Sequence, residues 1–170
     1  MKWLKKLPEA WRPHAVRIGF NLHPAYRRTG GRVEHVSPDL TCIRIRLPLN
    51  RGTRNLVGSI FGGSLFAVTD GPHPFLLLLG LGSEYVVWDK AASIQYRRPG
   101  RTTLYAECIV TPQELDEIRD VLTRQPDVDR VYRIEIKDGD GIIHAIVERT
   151  VYISRKEHYK QKSKGGAGSQ

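Results

Sequence analysis

The apolar positions change period several times along this chain, and each change marks an element. Trp3, Leu4, Leu7 and Trp11 recur at helical spacing, and Ala15, Ile18, Gly19 and Leu22 carry a weaker helical pattern past Pro13. The opening therefore predicts one or two short helices that cap a core. After the break at Thr29, Gly30 and Gly31, the run Arg32–Val36 reads as extended. Thr41–Leu47 alternates Ile43, Ile45 and Leu47 with Cys42, Arg44 and Arg46, the pattern of a strand with one buried face. Between Ile60 and Leu81 the sequence is apolar almost throughout and too long for a strand, which predicts a buried helix opening near Gly62 and Gly63.

Four further runs read as strands: Val86–Arg97, Thr102–Thr111, Asp129–Lys137 and Ile142–Ile153. Two turn signals join them into two antiparallel pairs, Arg98-Pro99-Gly100-Arg101 in the first and Asp138-Gly139-Asp140-Gly141 in the second. Between the pairs, Thr111-Pro112-Gln113-Glu114 is a capping box with proline at the first helical position, followed by Leu115, Ile118, Val121 and Leu122 at helical spacing. A helix apolar on most sides must be wrapped, so the element order predicts an α+β fold: one antiparallel sheet curled around one central helix.

Composition narrows the partners. The 170 residues suit one domain, divided here into a helical segment over 1–31, a core domain over 32–154 and a basic tail over 155–170. The net charge of +9 lies mostly at the two ends, in Lys2, Lys5, Lys6 and Arg12 and in Arg155, Lys156, Lys160, Lys162 and Lys164. The stretch from Lys162 reads as a solvated tail. Tyr96-Arg97-Arg98 and Tyr132-Arg133 are the nearest approach to an RNA-binding pattern and are ordinary strand sequence, so nucleic acid is not the expected partner. No uninterrupted apolar run approaches the roughly 18 residues of a membrane span, and no export signal opens the chain, which makes the cytosol the expected compartment. Cys42 and Cys108 read as buried reduced thiols, and the six histidines show no metal-ligand spacing.

The chemistry concentrates between Asn55 and Asp70. An acid inside an apolar helix is costly to bury, so Asp70 requires an explanation. In one reading, Pro72 and Pro74 kink the helix and Asp70 or Gly71 caps the renewed turn. In the other, Asp70 lines a cleft as nucleophile or general base, facing the backbone N–H groups of a helix start at Gly62 and Gly63 that can polarise a carbonyl. The residues alone leave both open.

The stretch resembles the hotdog-fold acyl-CoA thioesterases whose signature is an Asn, then His-Gly-Gly opening the central helix, then an Asp nine positions after the His. Asn55, Gly62, Gly63 and Asp70 fall at those positions, with Phe61 in place of the His. Val87-Trp88-Asp89-Lys90 and Phe61-Gly62-Gly63 look like a hotdog branch catalogued as a domain of unknown function and labelled a tetrameric thioesterase by inference. The resemblance spans about Arg32 to Ser154.

It implies a site between two subunits, in a homodimer or a dimer of dimers. The Gly62 N–H would polarise the thioester carbonyl, Asp70 would attack it or activate water, and Asn55 would position the nucleophile or water. Asp89 falls where some relatives carry a hydroxyl residue that assists the water. Gly63 and Phe61 would border the substrate, and Arg54, Arg97, Arg98 and Arg101 would meet the phosphates of coenzyme A, which enters only as part of the substrate. His73 could stand in for the missing His as a polar partner or could simply be structural. The resemblance thus implies an acyl-CoA hydrolase without metal or further cofactor. Phe61 and the prolines motivate the alternative of a non-catalytic acyl-CoA or fatty-acyl binder, and the basic ends a third, a structural or RNA-associated dimer.

Overall fold

The alternation read in Thr41–Leu47 becomes β2 (Cys42–Leu47), with Ile43, Ile45 and Leu47 buried and Arg44 and Arg46 exposed. The computed structural model of the chain describes residues 4–165. In chain order its helices are α1 (Arg12–Leu22), α2 (Pro24–Arg28), α3 (Gly62–Ala67), α4 (Pro72–Leu81), α5 (Pro112–Arg124) and α6 (Lys156–Gly165). The other strands are β1 (Arg32–Val36), β3 (Tyr85–Tyr96), β4 (Leu104–Ile109), β5 (Asp127–Lys137) and β6 (Ile143–Arg155). All six strands form one antiparallel sheet in the order β1-β2-β4-β5-β6-β3, with α4 packed on β3 and β4 and α5 packed on α4 and β5.

The second turn closes the hairpin its residues predict. Asp138 Oδ1 accepts from the Asp140 and Ile142 amides, and Gly141 takes φ +82° between β5 and β6. The first turn does not. β3 pairs with β6 along its whole length, and β4 lies between β2 and β5, so Arg98–Arg101 carries the chain away from the strand it leaves. Its polar groups are taken by other elements: the Arg97 and Arg98 amides donate to the His144 carbonyl, and the Gly100 carbonyl accepts from Ile60 N. Pro99 has no N–H to offer a ladder.

The single core helix expected over Ile60–Leu81 is two helices. Gly71 at φ +94° ends the first path, and Pro72 and Pro74 occupy the opening turn of α4, where their missing N–H groups cost nothing. By length and a mean hydropathy of 1.2 the stretch Gly62–Leu81 could pass for a membrane span, yet it is broken in the middle and Leu65, Leu76, Leu77 and Leu81 lie in the core.

α5 forms as its cap predicts, with Thr111 Oγ1 accepting from Glu114 N at 3.1 Å and Ile118 and Leu122 buried. Glu114 does not complete the capping box, because its carboxylate takes the Tyr132 hydroxyl at 2.6 Å. The N-terminal face differs from the periodicity: Val16 and Tyr26 enter the core, whereas Trp11, Ile18 and Leu22 are exposed, and Trp3 lies outside the described residues. The tail expected from Arg155 continues as α6, held by Lys156 N to the Glu84 carbonyl and by Tyr159 edge-on to Trp88. Of the two thiols, Cys108 is buried and Cys42 half-buried.

Candidate active site

β6 supplies the centre of the site. Ala145, Val147, Val151 and Ile153 share its inward face and are fully buried, and Arg149 falls in the same alternating series, opposite Ala92 on β3 and Tyr132 on β5. A guanidinium 3% exposed must be fully partnered. Its Nε donates to Thr69 Oγ1 at 3.0 Å, Nη2 to the Phe66 carbonyl at 2.9 Å and Nη1 to Asp89 Oδ2 at 3.0 Å. Asp70 Oδ1 stands 3.8 Å from the same Nη1, and the guanidinium carbon lies 5.0 Å from the centre of the Phe66 ring. Arg149 therefore ties the C-terminal end of α3 to β3.

Asp89 reaches it because the β3–β6 ladder shifts register between Asp89 and Ala91. Its side chain is 15% exposed, and Oδ1 is buried and accepts no hydrogen bond from a donor among the described residues, with the Asp70 carboxyl beside it. Burial pushes the Asp89 carboxyl up to about 6, against the lowering effect of Arg149 and with the neighbouring Asp70 adding to the rise. One carboxylate is thus poised near neutrality beside another that is open to approach.

Of the two readings of Asp70, the structure matches the break at the prolines, with Gly71 capping the renewed helix. Asp70 occupies the break between α3 and α4, its side chain 68% exposed in the single chain, because Gly71 and Pro72 end one helix there and start the next. It also lines a cavity of about 570 Å³ between the N-terminal helices and the core helices.

The other end of α3 is uncharged. Phe61 enters in an extended conformation with its amide on the Thr53 carbonyl, and no side chain caps the helix. The Gly62 and Gly63 N–H groups meet no acceptor among the described residues. A Cβ on Gly62 would stand 2.8 Å from the Tyr96 hydroxyl, and one on Gly63 only 2.3 Å from the Phe61 ring. Both rings are more than half exposed. Gly62 opens α3 and Asp70 lies beyond its last residue, so the open amides and the carboxylate stand at opposite ends of that helix.

The remaining candidates separate. The bonds of Asn55 close its own loop: Oδ1 accepts from the Val57 and Ser59 amides and Nδ2 donates to Ser59 Oγ. Within the chain its place is a turn-forming one. Arg54 and Arg101 are exposed on two loops joined by the bond from Ile60 N to Gly100 O, and Arg97 and Arg98 are exposed toward the β5–β6 turn. His73 is buried and stacked on Tyr132 at 4.0 Å, and burial, then Arg149, pushes its imidazole down to about 4, so it is a neutral core ring. Among the described residues no three of His, Cys, Asp and Glu converge as a metal set would. Arg149, Thr69 and Tyr96 were not among the sequence candidates. Arg149 was detectable as the one charge in the inward series of β6.

Fold and site together define a hotdog protein, an antiparallel sheet with a glycine-opened core helix and an acid at that helix's break. The chain belongs to the family described as a domain of unknown function, DUF4442, whose sequence model matches residues 14–153. No curated protein matches it. Among solved structures it is similar to a Pseudomonas aeruginosa protein of unknown function described as a probable thioesterase, with a TM-score of 0.73, 18% identity, and 88% of this chain and 97% of that one covered. It is also similar to a Haemophilus influenzae thioesterase (TM-score 0.58, 14% identity, 79% and 85% covered) and to a mutant thioesterase from Pseudomonas aeruginosa (TM-score 0.59, 15% identity, 87% and 95% covered). At these identities the likeness establishes the fold.

Proposed function

We propose that this protein is an acyl thioester hydrolase acting on acyl-CoA, with each site shared between two copies of the chain. The observation that carries the reading is the Arg149-held pair of Asp70 and Asp89 at the break of the core helix. Asp70 is open to a substrate, and Asp89, poised near 6, can exchange a proton with a water beside it. The Gly62 N–H of a second copy supplies the amide that stabilises oxyanion charge, since within one chain the glycine amides and Asp70 stand at opposite ends of α3. β3 supports the pairing: it ends the sheet, and its outer edge offers an unpaired ladder flanked by Trp88 and Tyr96. Arg54, Arg97, Arg98 and Arg101 provide cations for a phosphorylated leaving group. Thioesterases among the structural neighbours agree with the reading.

The test is release of free thiol from a panel of acyl-CoAs. Asp70→Asn is expected to lower turnover by at least about a hundredfold, while its melting temperature stays close to that of the parent because the side chain is exposed. Unchanged turnover would remove Asp70 from the mechanism. One observation favours a second reading, a binder that does not turn over: the Phe61 ring folds against Gly63 at the tip where the family signature has a histidine. Stabilisation by acyl-CoA without thiol release would select it.

A further inference from the structure

The cavity beside Asp70 has walls from two parts of the chain that the hotdog reading keeps apart. Val16, Gly19 and Phe20 of α1 and Tyr26 of α2 form one side, and Phe75 of α4 the other, with Asp70 at the opening. Its volume of about 570 Å³ falls inside the roughly 300–1,000 Å³ of small-molecule sites. The floor is rigid, because Phe20 meets Tyr26 and Phe75 edge-to-face, each pair at 5.1 Å. It is also chemically quiet. The Tyr26 hydroxyl donates to the Val68 carbonyl at 3.2 Å, and Thr29 Oγ1 donates to the Tyr26 carbonyl and accepts from Gly31 N. These polar groups are already satisfied, and the remaining polar side chains of the lining, His23 and Asp70, are exposed, so the interior selects for an apolar occupant.

Gly19 sharpens the identification. Glycine is the poorest helix former after proline, yet it sits within α1, where a Cβ would find no atom within 4 Å. Its missing side chain leaves the cavity open at that wall. A flexible, unbranched hydrocarbon attached to a neutral carbonyl fits the arrangement, with the tail against Phe20 and Phe75 and the carbonyl at the opening beside Asp70.

We infer that this cavity holds the acyl tail of the thioester, so that the N-terminal helices, rather than the sheet, set which acyl chains the protein accepts. The inference rests on the hydrolase reading above, and its test separates the two. Gly19→Leu adds a side chain at this wall, where its Cβ meets no atom within 4 Å, and is a better helix former. The ratio of kcat/KM for dodecanoyl-CoA over acetyl-CoA is expected to fall at least about tenfold, as is usual when an apolar pocket loses room for hydrocarbon. Ile18→Ala, on the exposed side of the same helix, should leave the ratio where it was. A ratio unmoved by Gly19→Leu would overturn the inference. Should neither parent nor variant release thiol from any acyl-CoA, the hydrolase reading fails, and methyl dodecanoate, whose carbonyl is neutral, then decides the cavity by itself. Saturable thermal stabilisation of the parent, lost in Gly19→Leu, upholds the pocket, and no stabilisation of the parent overturns it.

Discussion

The two ends of α3 are built on opposite principles. At its start, Gly62 and Gly63 leave backbone N–H groups open beside two exposed aromatic rings, and no charged side chain caps the helix. At its finish, Asp70, Asp89, Thr69 and the Phe66 carbonyl surround one buried guanidinium. The first arrangement costs little, because solvent can satisfy the exposed amides until a ligand replaces it. The second is expensive, since a buried ion pair is often no more stable than well-packed apolar residues in its place. Stability in this molecule is therefore committed at the carboxylate end, and the amide end can be altered with little structural consequence.

That contrast can be broken most severely at Arg149. Arg149→Met would leave the half-buried Asp89 without its cation and take one donor each from Thr69 Oγ1 and the Phe66 carbonyl, which keep only the bond between them, with an expected loss of about 3–5 kcal/mol in denaturant unfolding. Adding Asp89→Asn should recover part of the loss by removing the stranded charge. If Arg149→Met unfolds at the parent's midpoint, the cluster is not what holds the two elements together.

A smaller effect on stability is expected at the other end. Gly62→Ala and Gly63→Ala push aside the Tyr96 hydroxyl and the Phe61 ring, both exposed and free to swing outward, while alanine improves the helix. Each should change unfolding free energy by less than about 1 kcal/mol, while lowering thioester turnover because the added methyl group crowds the open amides. A large stability loss with turnover intact would reverse the assignment of the two ends.

The finest test is pH. Asp89 is raised from 3.8 to about 6, so the folded state binds its proton first, and stability is lost as pH rises through that interval. His73 is lowered from 6.5 to about 4, so the unfolded state binds its proton first, and stability is lost as pH falls through that interval. The two slopes oppose each other between about pH 4 and 6, which flattens the parent's profile. Asp89→Asn removes one of them, and its unfolding midpoint should fall more steeply on acidification than the parent's. Turnover, in turn, should decline on the acid side with an apparent midpoint near 6 as Asp89 takes up its proton.

Several of these features were legible in the sequence wherever the information was local. The α5 cap, the alternation of β2 and the Asp138–Gly141 hairpin each rest on residues within one turn or strand of each other, and each formed. The same logic misread Arg98–Arg101. Proline and glycine there signal a change of direction and not the strand that follows it, and the hydrogen bonds that fix this segment come from Ile60 and His144. It also misread the exposed face of α1, where helical spacing gathered Trp11, Ile18 and Leu22 but the core took Val16 and the cavity took Phe20.

By itself, the sequence determined the α+β class, the residues opening the core helix, and the place of an acid nine positions beyond Phe61. Only the tertiary structure decided that this acid lies in a break, that a bulge turns Asp89 toward it, and that Arg149 joins them. The bonds from Arg149 to Asp89, Thr69 and Phe66 span 60, 80 and 83 residues of chain. Periodicity and turn chemistry act over a few residues, whereas the partner of a buried charge is chosen by the order of strands in the sheet, which no local pattern encodes.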